Sequence, residues 1–147
     1  MPGDGISSLI FDMDNTLFDL VGAKMRACGR VSEHCRVGSA GELFSFFLRK
    51  AGGFEDPENI RDFLDHHGCY SEDVFQHCTE IYKREKLRDL APYPGVRETL
   101  RLLADAGFRM ALVTDAHLPD TCARLSHTGL AEFFDPVVTY EVTRAHK

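Results

Sequence analysis

The sequence lacks the features that mark several specialised classes of protein. No apolar run approaches the roughly 20 residues that a membrane helix needs, and the start has no basic segment typical of a signal peptide. No C-x-x-C pair occurs among the cysteines, which argues against a zinc site or a disulfide framework. We therefore expect a soluble, cytoplasmic protein with no membrane partner and with buried, reduced thiols. These are Cys28, Cys35, Cys69, Cys78 and Cys122.

Positive charge is also in short supply. Seventeen Lys and Arg stand against 23 Asp and Glu, which gives a net charge of -6. Because such a surface repels phosphate backbones, nucleic acid is not expected as a partner, and a small anionic substrate would need a local positive pocket. The rest of the composition, 44% hydrophobic and 27% charged over 147 residues, is typical of one globular domain or of one compact domain carrying an insertion.

The middle of the chain has the apolar periodicity of helices. The spacing predicts four of them before the sequence pattern changes near residue 90. The first helix covers residues 17–36. The second begins at Ser39, which forms a capping-box pattern with Glu42, the third begins at Asp56 and Pro57, and the fourth begins at Ser71. Residues 17–90 are therefore predicted to form a small helical bundle.

The two ends of the chain alternate between strand and helix patterns. Residues 6–11 form a short apolar run that predicts a buried strand. After residue 91 the pattern predicts a helix from Val96 to Gly107, a strand at 109–113, a helix at 119–128 and a strand at 136–139. This order is typical of a parallel α/β sheet. We predict a core made of residues 1–16 and 91–147, interrupted by the helical insertion 17–90.

Two carboxylates follow the first predicted strand. Asp12 and Asp14 are separated by one residue at the strand's carboxyl end, which is where ligands bind in open α/β sheets. One of them could act as a nucleophile, and the other as a general acid and base or as a ligand of a hard cation such as magnesium. The alternative from the residues alone is that Asp14 and Asn15 are turn residues.

A second candidate lies at the end of the second predicted strand. Thr114 and Asp115 supply a hydroxyl and backbone amides that could cradle a phosphate, although both residue types also serve as helix N-caps. The third candidate, Lys147, is by itself only a solvated charge.

Taken together, these segments resemble the motifs of the haloacid dehalogenase-like (HAD) hydrolases. Three segments occur in the family's order: Ile10-Phe11-Asp12-Met13-Asp14-Asn15-Thr16-Leu17, then Leu112-Val113-Thr114-Asp115, then Val138-Thr139-Tyr140-Glu141-Val142 with Lys147. The resemblance implies a HAD-like Rossmannoid parallel sheet with an inserted α-helical C1 cap. It is similar in particular to the C1-capped, phosphoglycolate phosphatase-like branch.

The resemblance also implies roles for the matching residues. Asp12 would form an aspartyl-phosphate, and Asp14 would act as the acid and base. Mg²⁺ would be held by Asp12 and Asp14. Thr114, Asp115 and Lys147 would bind the phosphoryl group of a small phosphorylated metabolite. The second carboxylate favours phosphate ester hydrolysis over dehalogenation, because a halide leaving group needs no proton.

Several neighbouring residues have competing interpretations. Asp115, where many relatives carry Asn, is interpreted as a helix cap, and His117 as a polar residue at a helix start rather than a substrate contact. Four basic residues of the helical block are interpreted as solvated charges rather than substrate cations: Lys24, Arg26, Arg49 and Lys50. Four phenylalanines are interpreted as bundle core rather than substrate pocket: Phe44, Phe46, Phe47 and Phe63.

The resemblance further implies a strand and an acidic fourth motif that are not found among these residues. The C-terminal part of the core is therefore expected to be missing, with the first strand left as an exposed edge through which copies could self-associate. Two functions stay open, a phosphatase of which this is an N-terminal portion, or a catalytically inactive short form that binds phosphate or a partner. A sugar phosphomutase is a third alternative.

Overall fold

A computed structural model describes residues 5–49 and 53–143. In chain order its elements are β1 (Ser8–Phe11), α1 (Leu20–Cys35), α2 (Ala40–Phe47), α3 (Glu58–His66), α4 (Glu72–Arg88), α5 (Val96–Asp105), β2 (Arg109–Val113), α6 (Leu118–Thr128), a 3-10 turn (Ala131–Phe133), β3 (Val137–Val138) and α7 (Tyr140–Thr143). The chain divides into two compact units. We call Met1–Leu20 with Leu90–Lys147 the sheet unit, and Val21–Asp89 the helical unit.

The sheet unit is built on three parallel strands in the order β1-β2-β3. Phe11 is level with Leu112, and Leu112 is level with Val137, so the strands end at one common edge. Because parallel strands need a crossover between them, the helices that follow β1 and β2 in the chain provide the connections. The predicted α/β class, with helices inserted between the first two strands, is confirmed.

The first strand is less buried than its apolar sequence predicts. Ile6 and Ile10 are 70% and 74% exposed, and β1 pairs only with β2 among residues 5–49 and 53–143. The prediction of a buried strand was therefore wrong, because an apolar strand is buried only where neighbours cover it. The exposed edge agrees with the expectation drawn from the family resemblance.

The helical unit contains the four predicted helices, α1 to α4. The first begins at Leu20 rather than at residue 17, because Phe18 forms bridges with Asp14 and Pro92 that hold this segment out of the helix. The third begins at Glu58, whose backbone N–H donates to the Asp56 carboxylate at 2.9 Å. Within the part of the chain described, no helix is long and apolar enough to cross a membrane.

One apolar core holds these helices together. Phe44, Phe47 and Phe63 are 8%, 1% and 0% exposed, and Phe46 packs against them partly buried. Their interpretation as bundle core is confirmed. Fully burying side chains of this size contributes about 1.5–3 kcal/mol each relative to leaving them in water, so they are a main source of this unit's stability.

Lys24 is buried, which contradicts its interpretation as a solvated charge. The side chain is 0% exposed, donates to the Phe54 carbonyl, and lies 3.5 Å from the Phe54 ring centroid and 4.7 Å from that of Phe47. A buried ammonium needs such partners because it has lost its water. Arg26 and Arg49 are exposed as expected and pair with Asp89 and Asp62, whereas Lys50 lies outside the described residues.

The five cysteines are free thiols, as the sequence predicts, although only Cys28 and Cys78 are buried. Burial raises the pKa of each of these two thiols to about 12. For Cys78 a hydrogen bond with Cys35, whose sulfur lies 3.1 Å away, also contributes. Because the thiolate is the reactive form, the raised pKa makes both thiols poor nucleophiles at neutral pH. Cys122 is exposed.

Replacing Gly38 with alanine is expected to lower the free energy of unfolding by about 2–4 kcal/mol. Gly38 has a φ of +60°, and a Cβ there would lie 2.8 Å from Glu42 Oε2 and from the Phe63 ring. Left-handed backbone costs alanine about 1–2 kcal/mol, and overpacking about 1–3 kcal/mol. Gly68→Ala is the matched control, because Gly68 has a φ of +66° with open space around it. Urea unfolding of both variants measures how much of the loss comes from the clash with Glu42 and Phe63. Equal losses of free energy of unfolding in the two variants would contradict a steric contribution at Gly38.

Candidate active site

Three polar residues follow the three strands at one edge of the sheet. Asp12 comes directly after β1, Thr114 after β2 and Thr139 after β3. The register continues beyond the strands, because the Thr114 backbone N–H donates to the Val138 carbonyl at 3.0 Å. The carboxyl ends of parallel strands are the usual ligand-binding edge of an α/β sheet. The structure thus brings the first two sequence candidates to the same edge.

The segment after β1 is a tight turn that positions Asp12. The Met13 carbonyl accepts hydrogen bonds from the backbone N–H groups of Thr16 and Leu17, at 3.3 and 2.9 Å. Asn15 adopts a left-handed φ of 59°, which asparagine tolerates. The turn returns Thr16 toward the strand, so that its hydroxyl donates to Asp12 Oδ2 at 2.8 Å. The turn interpretation is therefore right for Asn15, and the same turn orients the carboxylate.

Asp14 is paired with a buried arginine that the sequence analysis missed. Arg124 Nη1 donates to Asp14 Oδ2 at 2.7 Å, and the two side chains are 3% and 21% exposed. The signal lay in α6, where Arg124 belongs to a stripe at helical spacing with Thr121, Leu125 and Thr128, all buried. A charged residue on the buried face of a helix requires a partner, and here the partner is a carboxylate of the D-x-D segment.

Thr114 is 4% exposed, and its hydroxyl accepts a hydrogen bond from the Ala116 backbone N–H at 3.2 Å. Asp115 is exposed. Its interpretation as a helix cap was wrong, because α6 begins only at Leu118 and His117 occupies the N-cap position. The interpretation of His117 as a polar residue at a helix start is confirmed. Lys147 lies outside the described residues.

Glu141, in α7, caps the N-terminus of α6. Both of its carboxylate oxygens accept the Leu118 backbone N–H at 3.0 Å, and they also accept hydrogen bonds from His117 Nδ1 at 2.8 Å and the Thr139 hydroxyl at 2.9 Å. A carboxylate at a helix N-terminus satisfies an orphan donor and complements the helix dipole. The sequence analysis gave Glu141 no role, because its partner N–H is 23 residues away.

These hydrogen bonds lower the pKa of Glu141 from 4.5 to about 2. Desolvation of the carboxylate alone would raise its pKa. The hydrogen bonds from its own backbone N–H, from Leu118, from Thr139 and from His117 together outweigh that effect. The lower pKa means that the folded protein favours the ionised carboxylate more strongly than the unfolded chain does.

The ionised Glu141 carboxylate is therefore expected to add to the free energy of unfolding above about pH 4.5. This contribution is lost as the pH falls toward about 2. Glu141→Gln should unfold at a lower urea concentration than the parent at pH 6. The difference between the two urea midpoints should be smaller at pH 3. Glu132→Gln is the matched control, because Glu132 is an exposed glutamate of the same unit. A gap that stays constant between the two pH values would contradict the expected linkage.

The chemistry of the donor set fits a hard divalent cation. Asp12 offers a carboxylate, and Asp14 offers a backbone carbonyl in the turn that follows β1. Magnesium prefers oxygen ligands, keeps several waters, and is commonly bound through only one or two carboxylates. Among residues 5–49 and 53–143, the side chains of Asp12 and Asp14 do not gather with other acidic, histidine or cysteine side chains into a group of three. Asp12 and Asp14 could therefore hold such an ion, with water completing its coordination.

Comparison with known proteins adds a family match. The family model described as haloacid dehalogenase-like hydrolase matches residues 9–147. Among curated proteins, a Lacticaseibacillus casei protein described as an uncharacterized protein in the fgs 3′ region is 25% identical over 143 residues. That alignment covers 96% of this chain and 65% of the relative. The chain thus spans about two thirds of that relative's length.

Solved structures show the same fold. A Thermotoga maritima protein whose structure carries the name β-phosphoglucomutase has a TM-score of 0.80 at 23% identity, over 97% of this chain and 65% of that one. The Bacillus subtilis HAD-hydrolase YfnB, solved bound to magnesium, has a TM-score of 0.71 at 20% identity, over 97% of this chain and 68% of that one. At these identities the likeness concerns the fold.

Proposed function

Since the chain belongs to the haloacid dehalogenase-like hydrolases, we propose that the protein hydrolyses a small phosphate monoester with the help of Mg²⁺. The observation that carries the proposal is the placement of Asp12 at the carboxyl end of β1, with the Thr16 hydroxyl donating to Oδ2 at 2.8 Å. A hydrogen bond to one oxygen fixes the plane of the carboxylate and orients it for attack. Family membership confirms the resemblance seen in the motifs.

In the proposed reaction Asp12 attacks phosphorus, and the bond between phosphorus and the ester oxygen breaks. Asp14 delivers a proton to the departing oxygen. It then takes a proton from the water that cleaves the aspartyl-phosphate. Since Arg124 stabilises the ionised form of Asp14 at 2.7 Å, proton delivery requires that this ion pair loosen when substrate binds.

Phosphate binding is assigned to the edge of the neighbouring strand. Thr114 and the backbone amide of Asp115 would hold the phosphoryl oxygens, and Lys147 would offset their charge. Asp12 and the backbone carbonyl of Asp14 would hold Mg²⁺, which supplies further neutralisation of the anionic substrate. We propose that the helical unit serves as a C1 cap that selects the substrate, a small phosphorylated metabolite.

Hydrolysis of p-nitrophenyl phosphate tests the proposal. We expect turnover with Mg²⁺ and none with an excess of chelator. In Asp14→Asn we expect one rapid equivalent of nitrophenolate followed by slow turnover, because nitrophenolate leaves without a proton whereas the attacking water needs a base. Steady turnover of Asp14→Asn at the parent rate would overturn the assignment of Asp14.

Two alternatives are separated by related measurements. The structural likeness to a protein named β-phosphoglucomutase favours testing transfer of the phosphoryl group to a second sugar hydroxyl. The 74% exposed Ile10 on β1 favours a second candidate, in which the chain binds another copy of itself through this strand. A dimer that Ile10→Lys dissociates, in a chain that releases no nitrophenolate with Mg²⁺, would support this binding function over the phosphatase.

A further inference from the structure

A second cluster of ligand-type side chains lies within the helical unit. Glu42 is in the first turn of α2, His66 is the last residue of α3, and His67 follows directly. Glu42 Oε1 lies 3.0 Å from His67 Nε2 and 4.0 Å from His66 Nε2. One ligand atom from each residue falls within 4.8 Å of the others. Two imidazoles therefore approach the same carboxylate oxygen from adjacent positions.

We propose that Glu42, His66 and His67 bind a divalent transition-metal ion, with Zn²⁺ as the ion to test. Two imidazole nitrogens and one carboxylate oxygen form a donor set that suits zinc and its neighbours better than magnesium. Three protein ligands leave a fourth position for water. The site uses residues outside the D-x-D segment, so it is independent of the proposed phosphatase chemistry.

The distances need little adjustment to accept the ion. Zinc bonds of about 2.0–2.2 Å in a tetrahedron place ligand atoms roughly 3.3 Å apart. Glu42 and His67 are already at 3.0 Å, whereas His66 at 4.0 Å must move closer. The side chain of His66 is 64% exposed and can rotate toward the other two, and His67 at 22% exposure is the more firmly held ligand.

The surroundings hold the ligands in place. The Phe63 ring packs edge-on against His67 with centroids 4.7 Å apart, and Phe46 lies 5.9 Å from His66. Gly38 has no side chain where a Cβ would come within 2.8 Å of Glu42 Oε2, so the backbone leaves room for the carboxylate. An ordinary hydrogen bond between Glu42 and His67 accounts for one imidazole. It does not account for the second one beside the same oxygen.

A bound ion would join α2 to the end of α3. Because it would bind the folded chain more tightly than the unfolded one, Zn²⁺ should raise the thermal unfolding temperature as its concentration increases. The site is therefore expected to stabilise the helical unit in a metal-dependent way.

Titration of the whole chain with Zn²⁺ in excess Mg²⁺ tests the site by calorimetry and by the unfolding temperature. Magnesium occupies oxygen-only sites during the titration. We expect one zinc equivalent, and at least about a tenfold loss of affinity in His66→Ala and in Glu42→Gln, since even outer-shell changes cost 10–100-fold. His66 is exposed and Gln matches the shape of Glu, so both variants should fold.

His77→Ala is the matched control, because His77 is an exposed histidine of the same unit that neighbours His34 at 4.8 Å. It should bind zinc with the parent affinity. Co²⁺ in place of zinc should give visible absorption without a sulfur-to-cobalt band in the ultraviolet, which excludes ligation by a cysteine thiolate. The proposal is overturned if no binding occurs, if His66→Ala binds like the parent, if His77→Ala loses affinity, or if a thiolate band appears.

Discussion

Replacing Asp12 with asparagine is expected to lower the kcat for magnesium-dependent hydrolysis of p-nitrophenyl phosphate by at least about a thousandfold. The amide oxygen is a far weaker nucleophile than the carboxylate, and the change also removes a negative ligand from the proposed magnesium site. The amide can still accept the hydrogen bond from Thr16 that Asp12 Oδ2 accepts at 2.8 Å. The fold of the turn should therefore survive the substitution.

Asp105→Asn is the matched control for this prediction. Asp105 is an exposed aspartate at the end of α5, so the same chemical change should leave kcat within about twofold. Urea unfolding of both variants checks that each is folded, so that a fall in kcat cannot be attributed to misfolding. If Asp12→Asn kept more than a tenth of the parent kcat, the covalent route through Asp12 would have to be abandoned.

Replacing Arg124 with methionine is expected to lower the free energy of unfolding by about 3 kcal/mol at neutral pH. Removing one partner of a buried ion pair leaves the other charge uncompensated, at a cost of about 3–5 kcal/mol. The lower end applies because Asp14 keeps 21% exposure. Methionine retains most of the apolar stem of arginine, so the loss reports on the charge rather than on a cavity.

A double-mutant cycle separates this ion pair from general damage to α6. If Asp14 and Arg124 interact as the 2.7 Å contact indicates, the double variant Asp14→Asn with Arg124→Met should lose less free energy of unfolding than the two single variants lose in sum. Arg101→Met, on the exposed side of α5, should change stability by less than about 0.5 kcal/mol. Additive losses at Asp14 and Arg124 would show that the pair contributes no coupling.

Most of the helices and strands could be predicted from the sequence, because each depends on a local pattern of apolar and capping residues. The apolar spacing predicted α1 to α4, and the turn chemistry of Ser39 and Ser71 located two helix starts, with each hydroxyl accepting a backbone N–H at 3.2 Å. Motif order led to the family and to Asp12, Asp14 and Thr114. Within the capping box only the Ser39 half formed as expected, since the Glu42 carboxylate instead accepts a hydrogen bond from His67.

Charged side chains whose partners are distant in the chain escaped the sequence patterns. Arg124 meets Asp14 across 110 positions, and Lys24 reaches the Phe54 carbonyl across 30. Periodicity shows which face of a helix is apolar. It does not show which carboxylate or carbonyl will meet a cation on that face, because the meeting depends on how elements pack in three dimensions.

The sequence by itself thus determined β1 to β3, α1 to α6, their order and the family, because helix and strand patterns are local and the order of motifs can be read along the chain. Tertiary structure alone decided the exposure of β1, the capping of α6 by Glu141, and the pairing of Asp14 with Arg124. Each of these depends on which segments become neighbours after folding. Strand burial is set by the strands alongside, and the state of a charge by the groups that replace its water.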